Sequence, residues 1–508
     1  MRLREGLGST AVLGVVLALC LARLWVMPLP SSFWVDEMVS AFVIHFGAAH
    51  PSLAVAPQVT ETIYLWLPRA AESIFGFSEV AYRIPSLIVL GIALWLIARL
   101  AARLIHPRAG WFAAFACLAL KGFNYQAADA RPYALGTCVA AASLYFLVRW
   151  MDRARWLDAL LFTLFAALLW RVHLVFWPFY GIYALYVAVR LFRRETQVSW
   201  TQIATVSATL AAALIPVALE ALRLARDAQA HVITDPPQVR DLRRTLKFLL
   251  LAQCGGGALI ASLLAGRRSP IRASLPEVSS WILIAGWWLW HPLTLFAYSR
   301  LTGNSLFVDR YLSLALPGAA LAATLAAALF LPPSWWKAGA AVLGVCVLAA
   351  LGQWLDVWPA HHNSDWRGAA KTVNEWTLDA STPVLLPSPF VEAKFPVWRP
   401  DYPLPGFLYC YLPVYRLIGK PYLLPFQRSP ESEHYAADLA ATLAKYPRFL
   451  IYGGDRNVFT WRNFFASRPE LKGWGNRTSR RFGDVAVEIF ENPAFDGHPA
   501  VASFGGRR

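Results

Sequence analysis

Residues 10–47 read TAVLGVVLALCLARLWVMPLPSSFWVDEMVSAFVIHFG. From Thr10 to Met27 the stretch is apolar and long enough to cross a bilayer, which takes about 20 such residues. Two adjacent carboxylates, Asp36 and Glu37, stand just beyond it. Spanning needs neither of them, and they repel each other. The reading is a membrane protein that uses acids where its first helix leaves the bilayer.

The rest of the chain agrees. At 508 residues, 57% hydrophobic and 15% charged, it is too apolar for a soluble enzyme of that length. Apolar runs recur to Leu355, and from Asp356 the composition turns ordinary. About eleven spanning helices are predicted, near 9–27, 82–104, 109–123, 132–150, 156–171, 174–192, 201–221, 246–265, 279–298, 311–331 and 337–355. The third is short. The first carries no signal-peptidase site and is read as retained. The expected fold is a polytopic α-helical membrane module, 1–355, followed by an extracytoplasmic α/β domain, 356–508.

Basic residues set the orientation. Arg2 and Arg4 precede the first helix; Arg103 and Arg108, Arg149, Arg153 and Arg155, Arg190, Arg193 and Arg194, Arg267, Arg268 and Arg272, and Lys337 follow alternate ones. That places the N-terminus in the cytoplasm of a multi-pass inner (plasma) membrane protein, with Asp36, Glu37 and the tail outside. One outer loop, 222–245, dissents with Arg223, Arg226, Arg240, Arg243 and Arg244, which suits an anionic neighbour. The segment from Asp356 carries 18 basic and 15 acidic residues, so +13 of the net +16 belongs to the membrane part. Positive-inside loops and lipid phosphates account for this, and no nucleic acid is called for. Five of the six cysteines lie in predicted helices, and Cys410 is alone in the tail, so that segment closes no disulfide of its own.

The first outer loop, 28–81, reads as structured. MVSAFVIHFG and ETIYLWLPRAAESIFG are amphipathic, end at Gly47 and Gly76, and are expected to lie as interfacial helices. In the tail, helices are predicted in DWRGAAKTVNEW and EHYAADLAATLAKY, and strands in TPVLLPS, RFLIYGG and DVAVEIF. His361 and His362 followed by Asp365 invite a metal reading, but adjacent histidines do not face one ion on a helix.

Charges at membrane depth cost about 2.5–3.5 kcal/mol at the bilayer centre, so they carry a functional reading by default. The topology gathers Asp36, Glu37, Glu61, Arg83, Lys121, Asp129, Arg131, Arg171, His173, Arg300, Asp309 and Arg310 at the outer ends. Carboxylates with several guanidiniums suit a base and an anionic lipid head group. Each has a plainer alternative. Arg83 would snorkel as an interfacial anchor, Asp129 and Arg131 would pair in a turn, His173 would fill an aromatic corner with Phe176 and Trp177, and Asp309-Arg310 would be solvated. Capping a helix explains one of the two acids better than both.

In order, Asp36-Glu37, ETIYLWLPRAAESIFGFSEVAYRIPS, NYQAADARPYALG and VDRYLSLALPG, with DWRGAAKTVNEW and FGDVAVEIFENP in the tail, resemble one family. The chain is similar to bacterial glycosyltransferase family 39-like membrane proteins of the GT-C superfamily. Protein O-mannosyltransferases and the lipid A aminoarabinose transferase are relatives. The resemblance implies Asp36 as catalytic base with Glu37 beside it. It implies that Arg83, Arg131, Tyr133, Arg310 and Tyr311 grip a lipid phosphate, with Asp129 and His173 near the substrate. Glu61 stands where aminoarabinose-type enzymes keep a further acid that helps hold a metal. Many members have Pro-Pro or Lys-Pro near that point, and this chain reads Glu61-Thr62-Ile63, which leaves a divalent metal open.

The implied reaction moves a sugar from a polyprenyl (undecaprenyl) phosphate donor to a hydroxyl of a glycolipid, polysaccharide or protein on the outer face of the membrane. Phosphate leaves without needing a proton, so one base suffices, and direct attack inverts the anomeric centre. A transporter or flippase for such lipids is the rival reading. Its charges belong nearer mid-helix, in helices interrupted by Gly or Pro. A non-catalytic scaffold gives no reason for the clustered acids and arginines.

Overall fold

The computed structural model describes residues 10–59, 62–227, 235–265, 276–474 and 476–495. It divides into two compact units, one of Met1–Pro30 with Thr62–His361 and the other of Ser31–Glu61 with His362–Arg508.

The first unit is helical. Helix occupies each predicted apolar stretch, although 109–123 breaks into Gly110–Leu118 and Lys121–Tyr125. Among the described helices six are long and apolar enough to cross a membrane: Glu79–Leu104, Tyr133–Arg153, Leu174–Phe192, Trp200–Leu224, Tyr311–Phe330 and Pro333–Leu351. A seventh results if Val239–Thr245 and Phe248–Leu264, bent by 44°, form one span. The chain is a multi-pass membrane protein by this criterion.

Packing explains which helix lies where. In lipid there is little hydrophobic drive between helices, so small residues that allow close approach decide the contacts. Tyr311–Phe330 is 89% buried and rich in alanine. A Cβ added at its Gly318 would fall 2.4 Å from the backbone nitrogen of Trp288, so the helix Val278–Thr302 crosses there against bare backbone. Trp200–Leu224 is only 11% buried and keeps its apolar surface for its surroundings.

Ion pairs fasten the arginine-rich helix ends. Asp152 receives Arg103 and, at 2.7 Å, Arg190, while Arg149 lies 2.9 Å from Asp158. In the dissenting loop Arg223, Arg240, Arg243 and Arg244 are exposed, and Arg226 lies outside the described side chains.

The second unit holds a five-stranded sheet in the order β2-β1-β3-β5-β4. β1 (Pro383–Pro387) runs parallel to β2 (Lys420–Leu424) and to β3 (Arg448–Gly454). β4 (Asn476–Phe482) and β5 (Val485–Glu491) form an antiparallel hairpin on β3. The central strands are the three apolar runs expected from the sequence, together with the helices Trp366–Trp376 and Pro430–Leu443. The edge strands KPYLL and NRTSRRF and the helix Asp455–Ala466 are additions.

The segment Ser31–Glu61 clusters with this sheet. Phe33 N–H donates to the Tyr415 hydroxyl at 2.8 Å, and Arg367 N–H donates to Ser32 Oγ at 3.1 Å. Further along, Phe407 N–H donates to Ser52 Oγ at 3.0 Å and Gln58 Nε2 to Glu392 Oε1 at 2.8 Å. The helix Val35–Phe46 buries every residue from Glu37 to Val43, more than one face of an interfacial helix would. The second predicted loop helix, found at Trp66–Phe75, belongs to the helical unit.

Candidate active site

The sequence-predicted residues divide between the units. Asp36 and Glu37 stand in the second unit; Arg83, Asp129, Arg131, Tyr133, His173, Arg310 and Tyr311 stand in the first. Glu61 lies outside the described residues.

The acid pair opens the helix Val35–Phe46. The chain enters it extended at Trp34 (φ −95°, ψ 171°), a residue with no side-chain oxygen to satisfy the first turn. Glu37, at the third helical position, reaches back instead, its Oε2 accepting from the N–H of Trp34 itself at 3.2 Å. Glu37 is fully buried, whereas Asp36 is half-buried. The two acids are thus inequivalent. Cys410 lies near enough that Asp36, after burial itself, helps push its thiol well above the ordinary range.

In the helical unit, Arg83 on Glu79–Leu104 is fully buried and donates from Nη1 to the Leu29 carbonyl at 2.7 Å. It is not a solvent-reaching anchor. One turn on, Ser86 Oγ donates to the Asp129 carbonyl at 2.7 Å, fixing the short turn that carries Asp129 and Arg131. Pro132 then starts Tyr133–Arg153, where its fixed φ suits a first turn.

Three aromatic rings meet beyond that turn. Tyr133 lies 5.9 Å from His173 and 6.5 Å from Tyr311, and His173 lies 5.2 Å from Tyr311. The Arg310 guanidinium is 5.5 Å from the Tyr311 ring. His173 sits in an extended break (φ −159°, ψ 127°) between two helices. Its Nδ1 accepts from Val175 N–H at 3.3 Å, so the neutral ring carries its proton on Nε2. Burial, then the cations of Arg131 and Arg310, then His291 lower its pKa to about 3. His173 is therefore an uncharged donor in a cationic cluster. Lys121, Arg171, Arg300 and Asp309 are exposed and do not join it.

One further histidine escaped the sequence reading, and His361 has a different neighbour from those expected. His291, on Val278–Thr302, is fully buried with Nε2 3.0 Å from the Tyr311 carbonyl. Its signal was there, a lone ionisable residue in an apolar helix. His361 Nε2 lies 3.7 Å from Asp129 Oδ1, with Tyr125 packed on its ring at 4.1 Å. The metal reading with His362 and Asp365 does not describe this arrangement. Asp365 caps Trp366–Trp376, its Oδ1 accepting from Gly368 N–H at 2.9 Å, and His362 stacks on Trp34. Asp129 and His361 offer a carboxylate and an imidazole, the donor types of a divalent metal.

Residues 62–219 match the family model of dolichyl-phosphate-mannose-protein mannosyltransferases, a stretch that contains Arg83, Asp129, Arg131, Tyr133 and His173. Among solved structures, ArnT from Cupriavidus metallidurans in the apo state has a TM-score of 0.53 at 12% identity, covering 94% of this chain and 98% of its own. The chain has the fold of ArnT. ArnT bound to undecaprenyl phosphate is also similar, with a TM-score of 0.55 at 12% identity over 98% of this chain and 100% of the other. The arabinosyltransferase EmbB from Mycobacterium smegmatis gives 0.39 at 18% identity, over 63% of this chain and 30% of EmbB. No curated protein matches the chain in sequence. The GT-C resemblance thus rests on one family match in the helical unit and on fold across both units.

Proposed function

We propose that the protein transfers a sugar from a polyprenyl-phosphate donor to an acceptor hydroxyl at the outer face of the membrane, with inversion. The observation that carries this reading is the cluster of Arg131 and Arg310 around Tyr133, neutral His173 and Tyr311. Two guanidiniums among buried aromatic rings suit a phosphate carried by a lipid, because Arg binds oxyanions bidentately and strengthens where water is scarce. The family match points to a phosphate-linked sugar as donor, and ArnT has been solved with undecaprenyl phosphate.

The chemistry asks little more. As the anomeric bond breaks, charge gathers on the departing phosphate, and Arg131 and Arg310 stabilise it. Nε2–H of His173 adds a hydrogen bond without adding charge. Tyr133 and Tyr311 give the sugar flat, partly polar walls. Asp36 takes the proton from the acceptor hydroxyl as that oxygen attacks. Arg83, tied to the Leu29 carbonyl, holds the chain just ahead of the acid segment and completes the phosphate site.

The test is transfer by the purified protein in nanodiscs from a panel of polyprenyl-phosphate sugars. Wild type should form product, and Asp36→Asn should fold equally well and form none. Substantial turnover by Asp36→Asn removes the base assignment. A protein that binds these lipids but transfers to no acceptor returns the transporter to the front.

A further inference from the structure

A groove of about 270 Å³ opens in the second unit where the sheet's parallel strands end. Its walls include Trp34, Val35, His362, Asp455, Arg456 and Asp484. β3 ends at Gly454 and Pro389 follows β1, so the groove lies outside the carboxyl ends of neighbouring parallel strands. Open α/β sheets bind ligands at such crevices.

The walls are fixed. The Trp34 indole stacks on His362 with centroids 5.0 Å apart and planes within 5°. His362 Nδ1 lies 3.0 Å from Ser364 Oγ, and Asp484 accepts from Asn363 Nδ2 at 3.1 Å. Asp455 N–H donates to the Asp484 carbonyl at 2.9 Å, joining the start of Asp455–Ala466 to the β4–β5 turn. An indole edge beside two carboxylates and one guanidinium is a lining for a polyol, with an apolar ring face on one side and hydroxyl partners on the other. Two acids against one base disfavour an anion. The volume falls just under the roughly 300–1,000 Å³ of sites for drug-sized ligands, which suits a single ring.

Trp34 and Val35 immediately precede Asp36, and Val35 is the first residue of its helix. A ring seated in the groove therefore touches the chain one residue ahead of the proposed base. We propose that this groove is the acceptor subsite and that the acceptor presents a neutral sugar ring. This rests on the reading of Asp36 as the base.

Hydrogen exchange on the full-length protein in nanodiscs reads the groove directly, with neutral methyl glycosides as probes and methyl glucuronide as the anionic control. At least one neutral glycoside should protect amides at 34–36 and 454–457 saturably, in wild type and in Asp36→Asn alike. Asp455→Asn combined with Arg456→Gln should weaken that binding about tenfold with an unchanged melting temperature. In transfer assays the same variant should raise the acceptor KM and leave kcat within about twofold.

Protection by no neutral glycoside, or equal protection in the double variant, overturns the proposal. So does protection by the glucuronide alone, confined to the separate basic groove of Arg367, Lys371 and Arg416. If Asp36→Asn still transfers, the base assignment fails while the binding result stands, so the two failures are distinguishable.

Discussion

His361 Nε2 lies 3.7 Å from Asp129 Oδ1, and both side chains are almost wholly buried. A buried carboxylate that loses a nearby donor keeps its desolvation cost, about 1–3 kcal/mol or more. His361→Ala should therefore lower the melting temperature of the purified protein. Asp129→Asn with His361→Gln should recover part of the loss, because neither side chain then carries an unmatched charge. Strictly additive single losses in that cycle would mean the pair does not interact.

The acids at the head of Val35–Phe46 should separate by experiment. Glu37→Gln keeps a side-chain oxygen for Trp34 N–H and should leave stability nearly unchanged. Glu37→Leu removes the acceptor and should cost about 0.5–2 kcal/mol, the range for a lost helix cap. Asp36→Asn should leave melting untouched and abolish transfer. A Glu37→Gln protein as inactive as Asp36→Asn would give Glu37 a chemical role beyond the cap.

Arg131→Gln and Arg310→Gln should each raise the donor KM or lower kcat, with a loss of about 10- to 100-fold in kcat/KM. That matches one charge-assisted hydrogen bond of about 1.5–3 kcal/mol. Lysine at either position should restore only part, because a single ammonium cannot grip two phosphate oxygens in a plane. Unchanged kinetics in both glutamine variants would place the phosphate elsewhere.

His173 gives a signed pH prediction. Its folded pKa of about 3 lies below the ordinary histidine value of 6.5, so the unfolded chain takes up the proton first as pH falls. The stability associated with the neutral ring is full above 6.5, declines as pH drops from there towards 3, and changes no further below. His173→Gln should flatten that part of the melting temperature against pH curve and leave the neutral limb alone. Removing Arg131 or Arg310 should narrow the window, since each cation holds the pKa down.

Much of this was legible because lipid imposes length and hydropathy on every crossing helix, and the helices stand at the expected stretches. The central strands were legible for a different reason: PVLLP, RFLIY and VAVEIF are buried on both faces and so read as short apolar runs. Edge strands escape that logic. NRTSRRF pairs on one side only, and its charges protect an open edge without announcing a strand. Long-range assembly escaped too. Nothing local tells that Ser31–Glu61 clusters with the C-terminal sheet, because its ties run through single hydroxyls such as Tyr415 and Ser52. Nor does anything near His361 point to Asp129, more than 200 positions away.

Arg23 sets the last test. From the first apolar helix its guanidinium donates to the carbonyls of Gly352 at 2.6 Å, Gln353 at 2.8 Å, Asp356 at 2.6 Å and Val357 at 2.9 Å, with Trp354 5.2 Å away. The helix Trp336–Leu351 is capped at Gly352, so one of these carbonyls closes the helix end and the other three belong to the turn just beyond it. One guanidinium satisfies several at once, in the planar fork geometry that only arginine offers. Arg23→Met, close in length but without donors, should speed amide exchange across 348–357 and lower the melting temperature. Arg23→Lys should rescue little, because one ammonium cannot reach four separated oxygens. If exchange across 348–357 is the same in Arg23→Met as in wild type, the clamp does not hold that helix end.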